Sequence, residues 1–207
     1  MPQFIGSDPS SLCSLLPRAV TLTGVFRDIL TRHFIAPTQI ENPILRDLIW
    51  KNTDDTGILI ESVHNWKPST TEKRPAVIVK RNAYQNRPRG IGDLRMGPHT
   101  DKEGFEHFVT YWEGSHTLFC LGGSGAQADL LGAEVQRHMM QFKSPIQVSL
   151  DLLSYRVLQA GPVAELEEAQ ENFVVPITIG YAYEERWVVK PQVPLLSNIS
   201  LSMILEC

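Results

Sequence analysis

Residues 105–142, FEHFVTYWEGSHTLFCLGGSGAQADLLGAEVQRHMMQF, constrain the fold of this chain more than any other stretch. They read as a strand, a turn at Glu113-Gly114, a second strand, a glycine-rich corner and then a helix. The corner, Gly122 to Gly125, carries the functional question. As a phosphate cradle it would make the chain a nucleotide-using enzyme. As a tight joint between strand and helix it would make the chain a structural module.

The chemistry of the corner favours the joint. Backbone N–H groups at a helix N-terminus do attract anions. A phosphate loop of the Walker type also needs a lysine and a hydroxyl directly after its last glycine. Here Gly125 is followed by Ala126 and Gln127. Gly123, Gly125 and Ala128 match the GxGxxA form of a dinucleotide fingerprint. The strand before them reads as the second arm of a hairpin, however, and Asp151 falls late for a ribose ligand. A nucleophile elbow around Ser124 would need a glycine where Ala126 stands. The remaining expectation is that the glycines permit a sharp turn and Ser124 caps the helix. Cys120, between Phe119 and Leu121, reads as a packed thiol and not as a nucleophile.

The rest of the chain supplies alternating helices and strands. Residues 1–14 hold two prolines and four serines and read as a flexible surface arm. Across 17–34, Leu22, Val25, Phe26, Ile29, Leu30, His33 and Phe34 share a helical stripe, with Pro17 suited to a first turn. Residues 42–51 suggest a short helix with Asn42 as cap and Pro43 in its first turn. Strands are expected at 58–63 and 76–81. Residues 82–104 form a long irregular loop rich in glycine, proline and arginine. A strand is expected over 146–158, with a break near Leu152. A short helix or extended turn is expected over 162–171, a long strand over 173–189, and a half-buried strand over 198–206. Together these predict a single α/β (α+β) domain over 15–207, a mixed, mostly antiparallel sheet of six or seven strands flanked by two main helices.

Bulk properties narrow the function class. A chain of 207 residues with 43% apolar and 20% charged residues is long enough for a good hydrophobic core. A net charge of −4 argues against a dedicated nucleic-acid binder, though not against a protein that lets DNA pass. Cys13, Cys120 and Cys207 form neither a disulfide framework nor a zinc motif, and point to a reducing compartment. The N-terminus lacks the pattern of a signal peptide. No apolar run approaches the roughly 20 residues that span a bilayer.

Other candidate sites are incomplete. His33, His64, His99, His107, His116 and His138 include no i, i+4 metal pair. His107 and His116 are expected on the two arms of the hairpin, near one another. His99-Thr100-Asp101 has the spacing of two ligands of an iron triad, with His138 as the only suggested third. The glutamates at 165, 167, 168 and 171 lack a calcium-loop pattern and read as a solvated turn. Two segments suit contact with partners. The loop bears Arg87, Arg89 and Arg95, preceded by Arg81, and is basic in an acidic chain. Tyr181, Tyr183, Glu184, Glu185 and Trp187 form an aromatic-acidic patch.

The succession AVIVKR at 76–81, the turn expected at Glu113-Gly114-Ser115-His116, Leu118-Phe119-Cys120, the glycine corner and helix at 122–137, Gly161-Pro162-Val163 and FVVPITIGYAYEERW at 173–187 resembles tail terminator and tail-completion (neck) proteins of tailed bacteriophages. The resemblance covers residues 70–190 and rests on general pattern. It implies a homo-oligomer, a hexameric ring on the tail tube protein, joined to the head-completion or connector protein. Viral DNA would pass through the lumen without specific binding. It implies a virion location after assembly in the host cytoplasm, no catalytic residue, no cofactor and no membrane association. On that reading the interface candidates are Arg81, Arg87, Arg89, Arg95, Tyr183, Glu184, Glu185 and Trp187. The alternatives are another connector, a head-closure or baseplate adaptor, or a nucleotide- or phosphate-binding enzyme using the Gly122–Gly125 corner.

Overall fold

The computed structural model describes residues 3–4, 18–35, 37–49, 57–64, 75–87, 99–100, 106–166 and 172–190. They form one mixed α/β domain around a single sheet. The chain order among them is β1 (Gln3–Phe4), α1 (Arg18–Phe34), a 3-10 turn, α2 (Pro43–Ile49), β2 (Leu59–Ser62) and β3 (Ala76–Arg81). Next come β4 (Gln85–Asn86), β5 (His99–Thr100), β6 (Glu106–Gly122), α3 (Gly125–Gln141) and α4 (Lys143–Ser149). The last are β7 (Leu152–Ala160), β8 (Ala164–Glu165) and β9 (Phe173–Lys190).

The spine is the antiparallel pair β6 and β9, in register from Glu106 opposite Val189 to Gly122 opposite Phe173. Short strands line both outer sides of this pair. Along β6 lie β3, β4 and β5. Along β9 lie β8, β7 and β1. β2 joins β3 in parallel, the only parallel pairing among the described strands. The sheet is therefore mixed and mostly antiparallel, as expected, with nine strands among the described residues when the shortest are included. Four of the nine are two-residue strands, too short to leave a pattern in sequence.

One expectation fails at the centre. Glu113-Gly114 is not a turn: β6 runs straight through it as a continuous strand of 17 residues. Tyr181 explains why a glycine sits there. A Cβ at Gly114 would lie 2.9 Å from the Tyr181 ring, on the partner strand directly opposite. The missing side chain makes room for an aromatic ring across the ladder, a use of strand glycine distinct from a turn. His107 and His116 consequently lie on one strand, nine residues or about 30 Å apart at the strand rise, and are not neighbours across a hairpin.

A second correction concerns 146–158. Its first part is helical, as α4, and the strand begins only at Leu152. Pro145 stands in the first turn of α4, where its missing N–H costs no helix bond, and Ile146 is buried on the core side. Asp151, with φ 48, makes the left-handed link into β7. The expected break near Leu152 is thus the end of a helix. The expected element at 162–171 is extended where it is described, since β8 pairs with the start of β9. The expected strand at 198–206 lies outside the described residues, as does most of the arm at 1–14. Gln3 and Phe4 of that arm pair with Lys190 and Val189.

The helices form as their patterns require. In α1, Leu22, Phe26, Leu30 and Phe34 recur every fourth residue and are buried. Asn42 caps α2, its Oδ1 accepting from the N–H groups of Ile44 (3.0 Å) and Leu45 (3.2 Å). α1, α2, α3 and α4 all contribute to one core against Val77, Val79, Leu118, Cys120, Val175, Ile177 and Ile179 of the sheet. A smaller cluster, Ala76, Ile78, Leu121 and Val174, lies on the opposite face.

Candidate functional site

The glycine corner is a joint in its geometry. Ser124 has extended backbone angles (φ −150, ψ 157), and its Oγ accepts from the Gln127 N–H at 3.3 Å, capping α3. A Cβ at Gly122 would lie 2.7 Å from the Ala128 nitrogen, so the strand end and the helix start touch backbone to backbone. Gly132, further along α3, faces Val175 at a distance a Cβ would reduce to 2.9 Å. These glycines bring α3 down onto the spine. Cys120 is fully buried on the same side, and burial pushes its thiol pKa well up, which keeps it protonated.

The sequence candidates for partner contact converge on the other end of the spine. Arg81 ends β3 and stands opposite His116 in the ladder; its guanidinium carbon lies 5.5 Å from the Tyr84 ring centre. Tyr84 in turn meets the half-buried Trp112 edge-on, with centroids 5.2 Å apart. Trp112 Nε1 donates to Glu185 Oε2 at 2.7 Å. Arg87 follows β4, its amide bonded to the Tyr111 carbonyl, and its Nε lies 3.3 Å from Glu113 Oε2. Glu184 bonds Arg186 two residues on. The result is a rim, spanning both faces of the sheet, in which arginines and the glutamates of β6 and β9 are interleaved; most of these charges are exposed, whereas the Glu184 side chain is only 16% exposed. The pairings hold the side chains in place while leaving both charges accessible: Arg87 and Glu113 remain 61% and 53% exposed.

Arg81, Arg87, Glu184 and Glu185 are therefore brought to one end of the molecule. Tyr183 differs. It lies opposite Trp112 and Leu152 and is 3% exposed, so its ring belongs to the core and not to an accessible patch. Alternation along β9 is the cause, because Tyr181, Tyr183 and Glu185 share one face and Glu184 and Arg186 the other. Trp187 has its backbone opposite Phe108. Arg89 and Arg95 lie outside the described residues. Sequence reasoning missed Trp112, Tyr84 and Arg186, which complete the rim. The supposed turn at Glu113-Gly114 hid Trp112, since a tryptophan beside a turn has no assigned face.

A second polar constellation is buried between α1 and α3. His33 Nε2 and Glu134 Oε1 are 2.8 Å apart, with side chains 6% and 5% exposed. The other oxygen of Glu134 takes Arg137 at 2.6 Å, and Arg137 also pairs with Glu41 ahead of α2. His138 stacks on His33 with centroids 3.7 Å apart. Burial, helped by His33, lowers the His138 pKa to about 4 although Glu134 opposes the shift. His138 is thus engaged with His33 of α1, whereas the His99 backbone lies opposite His107 on the spine. Among the described residues, no group of three or more His, Cys, Asp or Glu side chains is arranged to hold a metal ion.

No protein-family model matches this chain, and no curated protein matches it.

Proposed function

We propose that this chain is a virion structural protein of the phage neck, a tail terminator-like subunit that forms a ring on the tail tube and joins it to the head connector. The observation that carries this reading is the rim at the end of the β6–β9 spine. The two long paired strands carry interleaved arginines and glutamates beside an aromatic pair, the exposed Tyr84 and the half-buried Trp112 at the edge of the core. Mixed charge of both signs suits contact with another copy, because each copy then offers both the cation and the anion. Enrichment in tryptophan, tyrosine and arginine is typical of hot spots. The tail tube protein and the head-completion protein are the other partners of this reading, and viral DNA passes through the ring unbound. A head-closure or baseplate adaptor is the same reading at another place in the particle.

Mass photometry of the purified chain tests it. The expected result is a symmetric oligomer, a hexamer on this reading, with rings at the ends of tail tubes by electron microscopy. Arg87→Glu combined with Tyr84→Ala, both exposed, should shift the oligomer to monomer while leaving the circular dichroism spectrum intact. A monomer at micromolar concentration that also fails to decorate tail tubes overturns the proposal.

A further inference from the structure

α1 is seated on buried histidines at two places along its length. In its first half, Thr23 Oγ1 lies 2.7 Å from Nε2 of His116 on β6, and the Phe26 ring meets the His116 ring edge-on with centroids 5.1 Å apart. At its C-terminal end, His33 Nε2 lies 2.8 Å from Glu134 Oε1, and the His33 ring stacks on His138 of α3 at 3.7 Å. Phe34 flanks His33 at 4.9 Å, and Phe142 flanks His138 at 4.6 Å. All three histidines are buried. Arg27 also reaches Glu61 of β2, but at 3.8 Å and half exposed this pair contributes little.

Neither His116 nor His138 is placed to carry a positive charge. His116 stands opposite Arg81 of β3, a like charge, and beside the Tyr181 ring of β9 at 5.4 Å. Burial pushes the Tyr181 phenol well up, so it stays neutral and offers no counter-charge. Burial first, then Arg81, lowers the His116 pKa to about 4. The groups acting on His138 are His33 of α1 and Glu134 and Arg137 of its own helix, and Glu41, ahead of α2, pairs with Arg137. Glu134 is already shared between His33 and Arg137. Burial first, then His33, lowers the His138 pKa to about 4 against the pull of Glu134. A histidine freed to water titrates near 6.5, so a state with α1 lifted binds protons before the closed one. The closed state is fully favoured above pH 6.5, and that preference is lost progressively down to about pH 4.

We propose that α1 is an acid-released cover, which lifts from the sheet and from α3 as His116 and His138 take up protons, while the β6–β9 ladder stays paired. The ladder and the seat of α3 have no histidine in their fastenings. β6 and β9 are in register over 17 residues of β6, and α3 is held by backbone contact at Gly122 and by the fit of Gly132 to Val175. Release frees the stripe of Leu22, Phe26, Leu30 and Phe34, all of it buried in the closed state. Local opening of one such unit ahead of global unfolding is ordinary behaviour for a helix with few fastenings.

Hydrogen–deuterium exchange of the full chain, read by mass spectrometry at about pH 7.5 and about pH 5 and corrected for intrinsic rates, tests the proposal. Each histidine should contribute about tenfold, so protection over α1 should fall by about a hundredfold at the lower pH. Residues 118–121 and 174–179 of the ladder should keep theirs. His138→Phe leaves a ring against His33 and removes one titrating group, and the loss over α1 should then shrink to about tenfold. Unchanged protection of α1 in the parent chain at the lower pH overturns the proposal, and so does an equal loss in the ladder, which is global unfolding. A folded His138→Phe chain that keeps the full hundredfold loss overturns it as well. The parent chain decides by itself if the variant does not fold.

Discussion

The two halves of the β6–β9 ladder share one backbone pairing and differ in nearly everything else. In the half beside the glycine corner, Leu118 and Cys120 face Ile177 and Val175 under α3, and every one of these side chains is buried. In the far half, Tyr111 faces Glu184, Thr110 faces Glu185 and Val109 faces Arg186, and the strand surface is half-buried or exposed. Strand pairing alone therefore does not make a core. A ladder provides backbone bonds along its whole length, but apolar burial accumulates only where helices cover it. The covered half anchors the molecule, and the far half is a less covered projection of the ladder, the part we propose for contact.

The contrast is broken most severely at the buried constellation between α1 and α3. Glu134→Ala leaves His33 and Arg137 without their shared carboxylate in a buried site, and should cost about 3–5 kcal/mol in denaturant unfolding. Ile177→Ala, in the fully buried part of β9, should cost about 2–5 kcal/mol by the same measurement. Acid should act on the covered half next. His116 and His138 have folded pKa values of about 4, below the ordinary 6.5, so the unfolded chain binds protons first as the pH falls. Their contribution is fully present above pH 6.5 and is lost progressively down to about pH 4. A denaturation midpoint followed across that range should fall, and His138→Gln should flatten the slope. Ser124→Ala, at the joint between the halves' shared strand and α3, should cost about 1 kcal/mol. Arg87→Ala in the far half should cost less than about 1 kcal/mol, since its partner Glu113 is as exposed as it is. If Arg87→Ala proves as damaging to the monomer as Ile177→Ala, the division into anchor and projection is wrong.

Much of this architecture was legible in the chain. The stripe of Leu22, Phe26, Leu30 and Phe34 marks α1 because a helix repeats its face every 3.6 residues. Asn42 marks the start of α2, and Ser124 that of α3, because their side chains do locally what the missing carbonyl acceptors cannot. The β-branched run at 76–81 marks β3. Gly114 misleads for a physical reason: a glycine that permits a turn and one that receives a ring from the next strand look identical in sequence. Residues 143–149 mislead because a proline near an apolar run reads as a break, whereas in a first helical turn it breaks nothing. The candidate site was half legible. Arg81, Arg87, Glu184 and Glu185 could be picked out as charged residues beside aromatics. Tyr183 could not be separated from them until the register with Trp112 and Leu152 assigned it a face.

The amino-acid sequence by itself determined the local elements and the class of fold, because periodicity, caps and glycine positions act over a few residues. It determined too that the corner at 122–125 has neither the lysine nor the hydroxyl of a phosphate loop. Only the tertiary structure decided that 106–122 is one strand, that His33 meets Glu134 across 101 residues of chain, and that the His116 ring meets both Tyr181 and Phe26 of α1. Those contacts depend on register and on which face each residue presents, and both are set by pairing between segments far apart in the chain.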